Sequence, residues 1–214
     1  NVKSILMSIS FIIILIATIA MSYYGFNNAT FFNRYMFNVG AVQKGDYVRL
    51  ISSGFLHANW KHLIFNMISL FFFYEVVTDS MGELLFVFIY FGSMLLGNIF
   101  SLQIYKRQSY YSAIGASGAV SGIIFTAIAL YPKAIKVNFL PGWLFGALYF
   151  GYSVFMMFNP QKGDNLGHTA HIGGALFGLA VVVLYAPTIV VHNALYLGIM
   201  ALPLVYMGVR LLKK

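Results

Sequence analysis

Residues 84–104 read LLFVFIYFGSMLLGNIFSLQI and contain no charged side chain. A helix needs about 20 consecutive apolar residues to cross the ~30 Å hydrocarbon core of a bilayer, so this stretch predicts a membrane-spanning helix. Six further apolar runs approach the same length, at residues 5–24, 63–77, 113–131, 139–158, 170–186 and 190–211. The sequence therefore predicts an all-α, polytopic transmembrane bundle that forms a single membrane-embedded domain over residues 1–214.

Composition points to the same lipid environment. Hydrophobic residues make up 60% of the chain and charged residues only 8%, whereas ordinary soluble domains carry roughly 25% charged residues. The net charge of +8 comes from 13 Lys and Arg residues, but these are scattered among apolar runs and form no basic stripe. We therefore do not expect a nucleic-acid partner. The chain has no cysteine, which excludes disulfides, thiolate metal sites and cysteine nucleophiles.

The connections between the runs carry some topological information. We interpret the first run as a retained helix, because no convincing signal-peptide cleavage site follows it. The long linker at residues 25–61 is expected to be structured, since loops of that length are seldom idle. With seven spans, Lys3, Lys133 and Lys136 lie on the N-terminal side and the other ten basic residues lie opposite. The positive-inside rule then places the N-terminus outside.

Three polar clusters stand at the starts of alternate apolar runs. The sequence HANWKH occupies residues 57–62 before the second run, GASG occupies residues 115–118 in the fourth, and HTAH occupies residues 168–171 at the sixth. Because membrane helices alternate in direction, the second, fourth and sixth runs all start on the same face. The three clusters are therefore expected to meet at one face of the bundle.

Asn66, Ser117 and His171 lie at comparable depth, about one to two turns below that face at 1.5 Å per residue. Polar groups at membrane depth are costly, so they face the bundle interior and are functional candidates. Each also has a purely structural explanation. The small residues at 115–118 are typical of close helix packing, His171 could bridge two helices, and His62 with Asn66 forms an i, i+4 pair on one helix face. Their coincidence in a chain with so few polar residues favours a shared function.

Acyl-transfer chemistry accounts for the whole set. A serine hydroxyl needs a base to accept its proton, and neutral imidazole suits that role near pH 7. An amide, an imidazole N–H and the serine backbone N–H can donate to the oxyanion of a tetrahedral intermediate. Small residues would admit the substrate carbonyl and let the fourth and sixth helices pack closely enough for Ser117 and His171 to meet. These residues are Gly115, Gly118, Gly122, Gly174 and Gly178.

Elimination narrows the chemistry to a serine–histidine pair. The chain has five carboxylates: Asp46, Glu75, Asp79, Glu83 and Asp164. An intramembrane aspartyl protease requires two aspartates at membrane depth, and the sequence places none there. A zinc protease of the His-Glu-x-x-His kind requires a glutamate beside a histidine, and no histidine here has one. His168 and His171 remain a possible pair of metal ligands without obvious further ligands, so we expect neither a metal nor another cofactor. No acid is placed to complete a Ser-His-Asp triad, which leaves a dyad.

The chain resembles the rhomboid intramembrane serine proteases over about residues 46–178. Three motifs stand in family order: HLIFN at residues 62–66, GASG at residues 115–118, and AHIGG from residue 170, continuing to Gly178. The resemblance implies that Ser117 is the nucleophile and His171 its general base. It also implies an oxyanion hole lined by His62, Asn66 and the Ser117 backbone N–H, with single-span transmembrane proteins as substrates.

The resemblance further implies a six-helix core over residues 1–187 with a seventh transmembrane helix at 190–211. The long first linker would be partly embedded at the membrane interface, and residues 159–167 would cap the site. The fifth helix would border lateral substrate access with four aromatic residues that are otherwise typical of lipid-facing packing: Trp143, Phe145, Tyr149 and Phe150. The resemblance places the active site toward the extracytoplasmic face of a bacterial cell membrane. The count of basic residues predicts the opposite orientation, and here we follow the resemblance.

Two positions depart from the family pattern. Val48-Arg49 stands where the first loop of rhomboids usually carries Trp-Arg, and Ser121 stands where many bacterial members have a tyrosine that stacks on the histidine. Another group must therefore hold the imidazole of His171. Two other functions remain open: a catalytically idle relative that binds transmembrane segments without cutting them, and a small transporter or channel with a polar midplane site, which the absence of an internal repeat disfavours.

Overall fold

Helices dominate the fold of the chain. The computed structural model describes residues 8–137, 139–160 and 167–213, and the prediction of an all-α bundle is confirmed. Within these residues there are eleven α-helices: α1 (Ile9–Asn27), α2 (Ala29–Tyr35), α3 (Val39–Gln43), α4 (Arg49–Ser52), α5 (Trp60–Met81), α6 (Glu83–Ile104), α7 (Ser117–Leu130), α8 (Gly142–Phe158), α9 (His168–Tyr185), α10 (Pro187–His192) and α11 (Ala194–Leu212).

Seven of these helices coincide with the seven apolar runs. Five of them, α1, α5, α6, α9 and α11, are long and apolar enough to cross a membrane. The first begins at Ile9, and the start of the predicted run at residue 5 lies outside the described residues. Helices α7 and α8 are shorter, with 14 and 17 residues. At 1.5 Å per residue they measure about 21 and 26 Å, less than the ~30 Å hydrocarbon core.

The helix boundaries follow from local sequence. The side chain of Asn59 caps α5 by accepting a hydrogen bond of 2.9 Å from the backbone N–H of His62, which is the usual role of asparagine before a helix. The turn between α5 and α6 is the single residue Gly82, whose φ of 86° favours glycine. This tight reversal sets α5 and α6 side by side and antiparallel.

Helix α7 lies at the centre of the bundle and packs against α6 and α9, which also contact each other. Twelve of its residues are buried, so almost none of its surface contacts lipid. Glycines bring its backbone directly against α9, because a Cβ added at Gly174 would overlap the carbonyl oxygen of Gly118, and one added at Gly178 would overlap that of Gly122. Small residues permit such close approach in membrane bundles. The interface leaves no room for a side chain at either contact.

The long first linker is structured, as predicted. It folds into α2, strand β1 (Phe37–Asn38), α3, α4 and a 3₁₀ turn at Ser53–Phe55. Strand β1 pairs antiparallel with β2 (Ser112–Ala113), the segment that precedes α7. A second hairpin, β3 (Lys136–Val137) with β4 (Leu140–Pro141), joins α7 to α8. The first linker is thereby tied to the chain that enters the central helix.

Arg49 anchors this linker although its preceding residue is Val48. Its guanidinium is buried, donates to the carbonyl oxygens of Asn33 and Met36 at 2.9 and 2.7 Å, and donates to Asp46 at 2.8 Å. The hydrogen bond from Arg49 lowers the pKa of Asp46, and the ion pair with Arg34 adds to the effect. Arg49 therefore joins three parts of the linker although the preceding residue is valine and not the tryptophan of the family pattern.

Candidate active site

Ser117 is the first residue of α7, and the chain reaches it through an extended segment. The sequence predicts that the fourth helix opens at Gly115, but that prediction is wrong by two residues, because α7 begins at Ser117 and Gly115 has a φ of 117°. That conformation favours glycine, and a Cβ there would lie 2.7 Å from Cε1 of His62. Ser117 thus stands at a helix N-terminus, where the first backbone N–H groups have no intrahelical acceptor.

A buried histidine fixes the segment before Ser117. The backbone N–H of Ala116 donates to Nε2 of His57 at 3.3 Å, and Nδ1 of His57 lies 2.9 Å from Oγ of Ser22. Because Nε2 accepts, the proton is on Nδ1 and is donated to Ser22, which in turn donates to the carbonyl oxygen of Phe55 at 2.8 Å. Burial lowers the pKa of His57 to about 3, with a further contribution from His62. His57 is therefore neutral at pH 7.

His171 lies in the first turn of α9 and reaches the serine directly. Its Nε2 is 2.6 Å from Oγ of Ser117, and its side chain is buried. The glycine contacts between α7 and α9 set this separation, because they bring the two helix backbones together immediately below the pair. A hydroxyl donating to an imidazole nitrogen is the geometry in which serine can lose its proton on attack.

His62 and Asn66 lie one turn apart on α5 and face the same space. The side-chain amide of Asn66 donates to the carbonyl oxygen of His62 at 3.1 Å, and Asn66 is buried. Both residues line one cavity together with Ser117 and His171. The structure thus brings together the four polar residues that the sequence selected, on three different helices.

That cavity has a volume of about 780 Å³ and lies between α5 and α8, with α7 and α9 behind it. Phe65 and Phe72 form part of the α5 wall, Phe145 and Tyr149 part of the α8 wall, and the β3 strand lines the end farthest from Ser117. The space therefore extends from the polar cluster along most of the length of α7. Its walls are largely apolar, which suits a hydrophobic occupant.

Metal-ligating side chains near the site form no larger group within the described residues. Among residues 8–137, 139–160 and 167–213, no group of three or more histidine and acidic side chains is placed to hold a metal ion. His168 and His171 come within ring contact at 6.0 Å between centroids. Asp164 and most of the predicted capping loop at residues 159–167 lie outside the described residues.

Comparison with known proteins identifies the family. The rhomboid domain family model matches residues 44–188. The chain belongs to the rhomboid family. It is 27% identical over 169 residues to the RHOMBOID-like protein 12, mitochondrial, of Arabidopsis thaliana, with 70% of this chain and 50% of that protein covered. It is 38% identical over 88 residues to the putative rhomboid protease YdcA of Bacillus subtilis, with 41% and 42% covered.

A third relative is the Rhomboid-like protease 1 of Toxoplasma gondii. It is 26% identical over 147 residues, with 67% of this chain and 49% of that protein covered. The chain spans about half the length, or less, of these curated rhomboid relatives. Helix α11, at Ala194–Leu212, begins beyond the end of the family match.

This rhomboid departs from the family pattern at the ring that faces His171. Ser121 replaces the usual tyrosine on α7, and its Oγ lies 2.8 Å from the hydroxyl of Tyr149 on α8. The ring of Tyr149 lies 6.0 Å from that of His171, with 33° between their planes. The sequence predicted Tyr149 only as a border of substrate access, and nothing in a linear motif links it to Ser121.

The other predicted border residues divide between two environments. Phe145 lines the cavity with Tyr149. Phe150 is fully buried against Phe125, with ring centroids 4.3 Å apart. Trp143 contacts Tyr196 of α11 at 5.9 Å. The prediction that all four aromatic residues border the access route is therefore wrong for Trp143 and Phe150, because α8 packs that part of its surface against α7 and α11.

Proposed function

We propose that this rhomboid is an intramembrane serine protease that hydrolyses peptide bonds in or near transmembrane segments. The observation that supports this most strongly is the 2.6 Å contact between Oγ of Ser117 and Nε2 of His171 at one end of a large apolar cavity. A serine and a histidine in this relation have little structural purpose, since small apolar residues would fill the same interface at lower cost.

In this mechanism Oγ of Ser117 attacks the scissile carbonyl carbon while Nε2 of His171 accepts the hydroxyl proton. The resulting oxyanion accepts hydrogen bonds from the backbone N–H of Ser117, the amide of Asn66 and the ring of His62. When the tetrahedral intermediate collapses, the C–N bond breaks and the imidazolium gives its proton to the leaving amine. A water molecule, deprotonated by His171, then hydrolyses the ester and regenerates Ser117.

The substrate class follows from backbone hydrogen bonding. Every interior carbonyl of a lipid-spanning helix is already bonded to an amide four residues on. Ser117 can attack only after local unwinding, which exposes groups that lipid leaves unsatisfied at several kcal/mol each. The polar end of the cavity can receive them. Good substrates are therefore single-span proteins with Gly, Pro or other weak helix formers near the cut, and with a small residue before the scissile bond.

We also propose the architecture and location that the family implies. Residues 1–214 form one membrane-embedded domain, with a core over residues 1–187 and an additional transmembrane helix over residues 190–211. The active site faces the extracytoplasmic side of a bacterial cell membrane. The match to a Bacillus subtilis protein supports a bacterial setting, while other relatives are mitochondrial or chloroplastic.

Reconstitution in liposomes tests the function directly. The protein would be incubated with a panel of single-span membrane proteins, and cleavage sites would be read by mass spectrometry. We expect Ser117→Ala and His171→Ala each to abolish cleavage without preventing extraction of folded protein. The double variant should be no worse than either single one, because residues that act as a unit are non-additive. Ser80→Ala, a serine near the opposite end of α5, serves as the control and should cleave normally.

Covalent labelling separates the protease from the two other functions. A fluorophosphonate carrying a fluorescent dye should label the wild type at Ser117 and leave Ser117→Ala unlabelled. A catalytically idle helix-binding protein or a small transporter would show neither labelling nor cleavage. Multiplicative losses in the Ser117 and His171 double variant would contradict the dyad even if cleavage occurs.

A further inference from the structure

The imidazole of His171 is oriented by more than its bond to Ser117. The hydrogen bond at Nε2 fixes the position of that atom relative to Ser117. The face of the ring is limited by Tyr149, whose centroid lies 6.0 Å away with 33° between the planes. Tyr149 itself contacts two aromatic neighbours, Phe125 at 5.4 Å and Phe145 at 5.7 Å between ring centroids.

A hydrogen bond ties this tyrosine to the helix of the proposed nucleophile. The hydroxyl of Tyr149 lies 2.8 Å from Oγ of Ser121. Ser121 is buried and follows Ser117 by four residues on α7, so the two serines lie on the same helix face one turn apart. The ring that faces His171 therefore belongs to α8, and its hydroxyl is bonded to Ser121 of α7.

We propose that Tyr149 is a positioning residue for His171 and that Ser121 is the tether that holds Tyr149 in place. This inference rests on the proposed protease function. The tether keeps the tyrosine ring against the imidazole, which limits the tilt of His171 when it accepts the proton of Ser117. The same ring lies at about the distance over which an aromatic face attracts a cation, so it also stabilises the imidazolium that forms on attack. Both effects act on the chemical step rather than on substrate binding.

Three variants separate the ring from its tether. Tyr149→Phe keeps the ring and removes the tether, Ser121→Ala removes the tether from the other side, and Tyr149→Leu removes the ring. We expect the first two to lower the rate of fluorophosphonate labelling and the kcat of cleavage about three- to tenfold, the scale of one hydrogen bond. Tyr149→Leu should lower both about a hundredfold, the scale of a misplaced catalytic group, which is far more than the severalfold rise in KM expected from its place in the cavity wall.

The chain offers a matched control at the other end of α7. The hydroxyl of Tyr131 lies 3.1 Å from Oγ of Ser80, another hydrogen bond between a tyrosine and a serine of different helices. Tyr131→Phe should therefore leave labelling and kcat unchanged. The double variant Ser121→Ala/Tyr149→Phe should match either single one, because both remove the same bond. Multiplied losses in the double variant, or wild-type rates in Tyr149→Leu, would overturn the proposal.

An NMR measurement tests the positioning role of Tyr149 independently of enzymatic activity. Protein labelled with ¹⁵N-histidine in detergent micelles gives imidazole signals, and that of His171 is assigned by its loss in His171→Ala. We expect this signal to shift or broaden in Tyr149→Leu and to stay in place in Tyr131→Phe. An unmoved His171 signal in a folded Tyr149→Leu protein would overturn the positioning role. If the wild type neither cleaves nor labels, the protease function fails, while the NMR result still decides whether Tyr149 orients His171.

Discussion

The two sides of His171 are built from opposite kinds of residue. On one side, α7 and α9 meet backbone to backbone through Gly118 and Gly174. On the other, α8 approaches the site with large aromatic side chains such as Phe145 and Tyr149, and a cavity of about 780 Å³ separates it from α5. Backbone contact fixes a distance that side-chain rearrangement cannot change, whereas aromatic walls can move apart. In the proposed protease, the first side suits the reacting pair, and the second suits a substrate that must enter and leave.

The largest effect is expected from a methyl group placed in the backbone contact. A Cβ at Gly174 would overlap the carbonyl oxygen of Gly118, whereas a Cβ at Gly151 on α8 would have Pro203 at 3.9 Å as its nearest neighbour. Gly174→Ala must therefore push α9 away from α7, and a shift of about 1 Å at the reacting atoms costs about a hundredfold in rate. We expect a lower unfolding temperature and at least that loss of cleavage, while Gly151→Ala behaves as wild type. Equal behaviour of the two variants would contradict the comparison.

The next prediction concerns Asn66 on α5, which lines the cavity together with Ser117 and His171. Asn66→Ala should lower turnover by roughly two orders of magnitude, the scale of one lost oxyanion donor. Labelling of Ser117 by a small reactive probe should fall less. Asn27→Ala is the matched control and should leave turnover unchanged. Asn27 donates to the carbonyl oxygen of Tyr23 four residues back, as Asn66 does to that of His62. Should substrate binding weaken while turnover is unchanged, Asn66 is a contact residue and not an oxyanion donor.

A smaller effect is expected from the cavity wall. Phe72 lines the cavity from α5 and is 67% exposed. Phe72→Ala removes apolar area from the proposed binding surface, and partial burial of such a side chain is worth about 1 kcal/mol. We therefore expect KM to rise about fivefold and kcat to stay the same in steady-state cleavage assays. Leu84→Ala, at an exposed position at the start of α6, should change neither. A fall in kcat at Phe72 would mean that this wall also positions the reacting atoms.

The last prediction concerns the pH dependence of stability and not the activity. The pKa of His57 is about 3 in the folded protein, below the ordinary 6.5. Between these values the unfolded chain binds a proton that the folded chain does not, so the stabilising contribution is complete above pH 6.5 and is lost as the pH falls toward 3. The unfolding temperature in detergent should fall between pH 7 and pH 4, and less steeply in His57→Gln. Parallel curves for the two proteins would contradict this role for His57.

The helical architecture could be predicted from the sequence because the hydrophobicity that favours a segment in lipid depends on that segment alone. A run such as residues 84–104 needs no knowledge of its neighbours to be recognised as a membrane helix, and α6 spans Glu83–Ile104. The polar residues could be selected for a similar reason. In a chain with 8% charged residues, each buried histidine or asparagine stands out.

Contacts between distant segments could not be predicted in the same way. The fourth helix begins two residues later than the sequence predicts, because hydropathy does not register that Ala113, just before it, pairs with Phe37 in another part of the chain. His57 was seen only as one member of a polar cluster, since its partners Ser22 and Ala116 are far apart in sequence. The contact between Ser121 and Tyr149 could not be predicted either. The sequence shows that position 121 is not aromatic, but it does not show that a ring from α8 lies beside His171 instead.

The length of α8 has a consequence for the surrounding lipid. This helix measures about 26 Å at 1.5 Å per residue, and several of its side chains, including Leu148 and Phe155, are exposed on the outside of the bundle. A bilayer core of ~30 Å cannot match it without compressing, tilting the helix or drawing head groups inward. We expect acyl chains beside α8 to be shorter and less ordered than in the bulk membrane. We expect the bilayer to be thinnest where the cavity opens, which in the proposed protease would shorten the path that water must travel to the ester on Ser117.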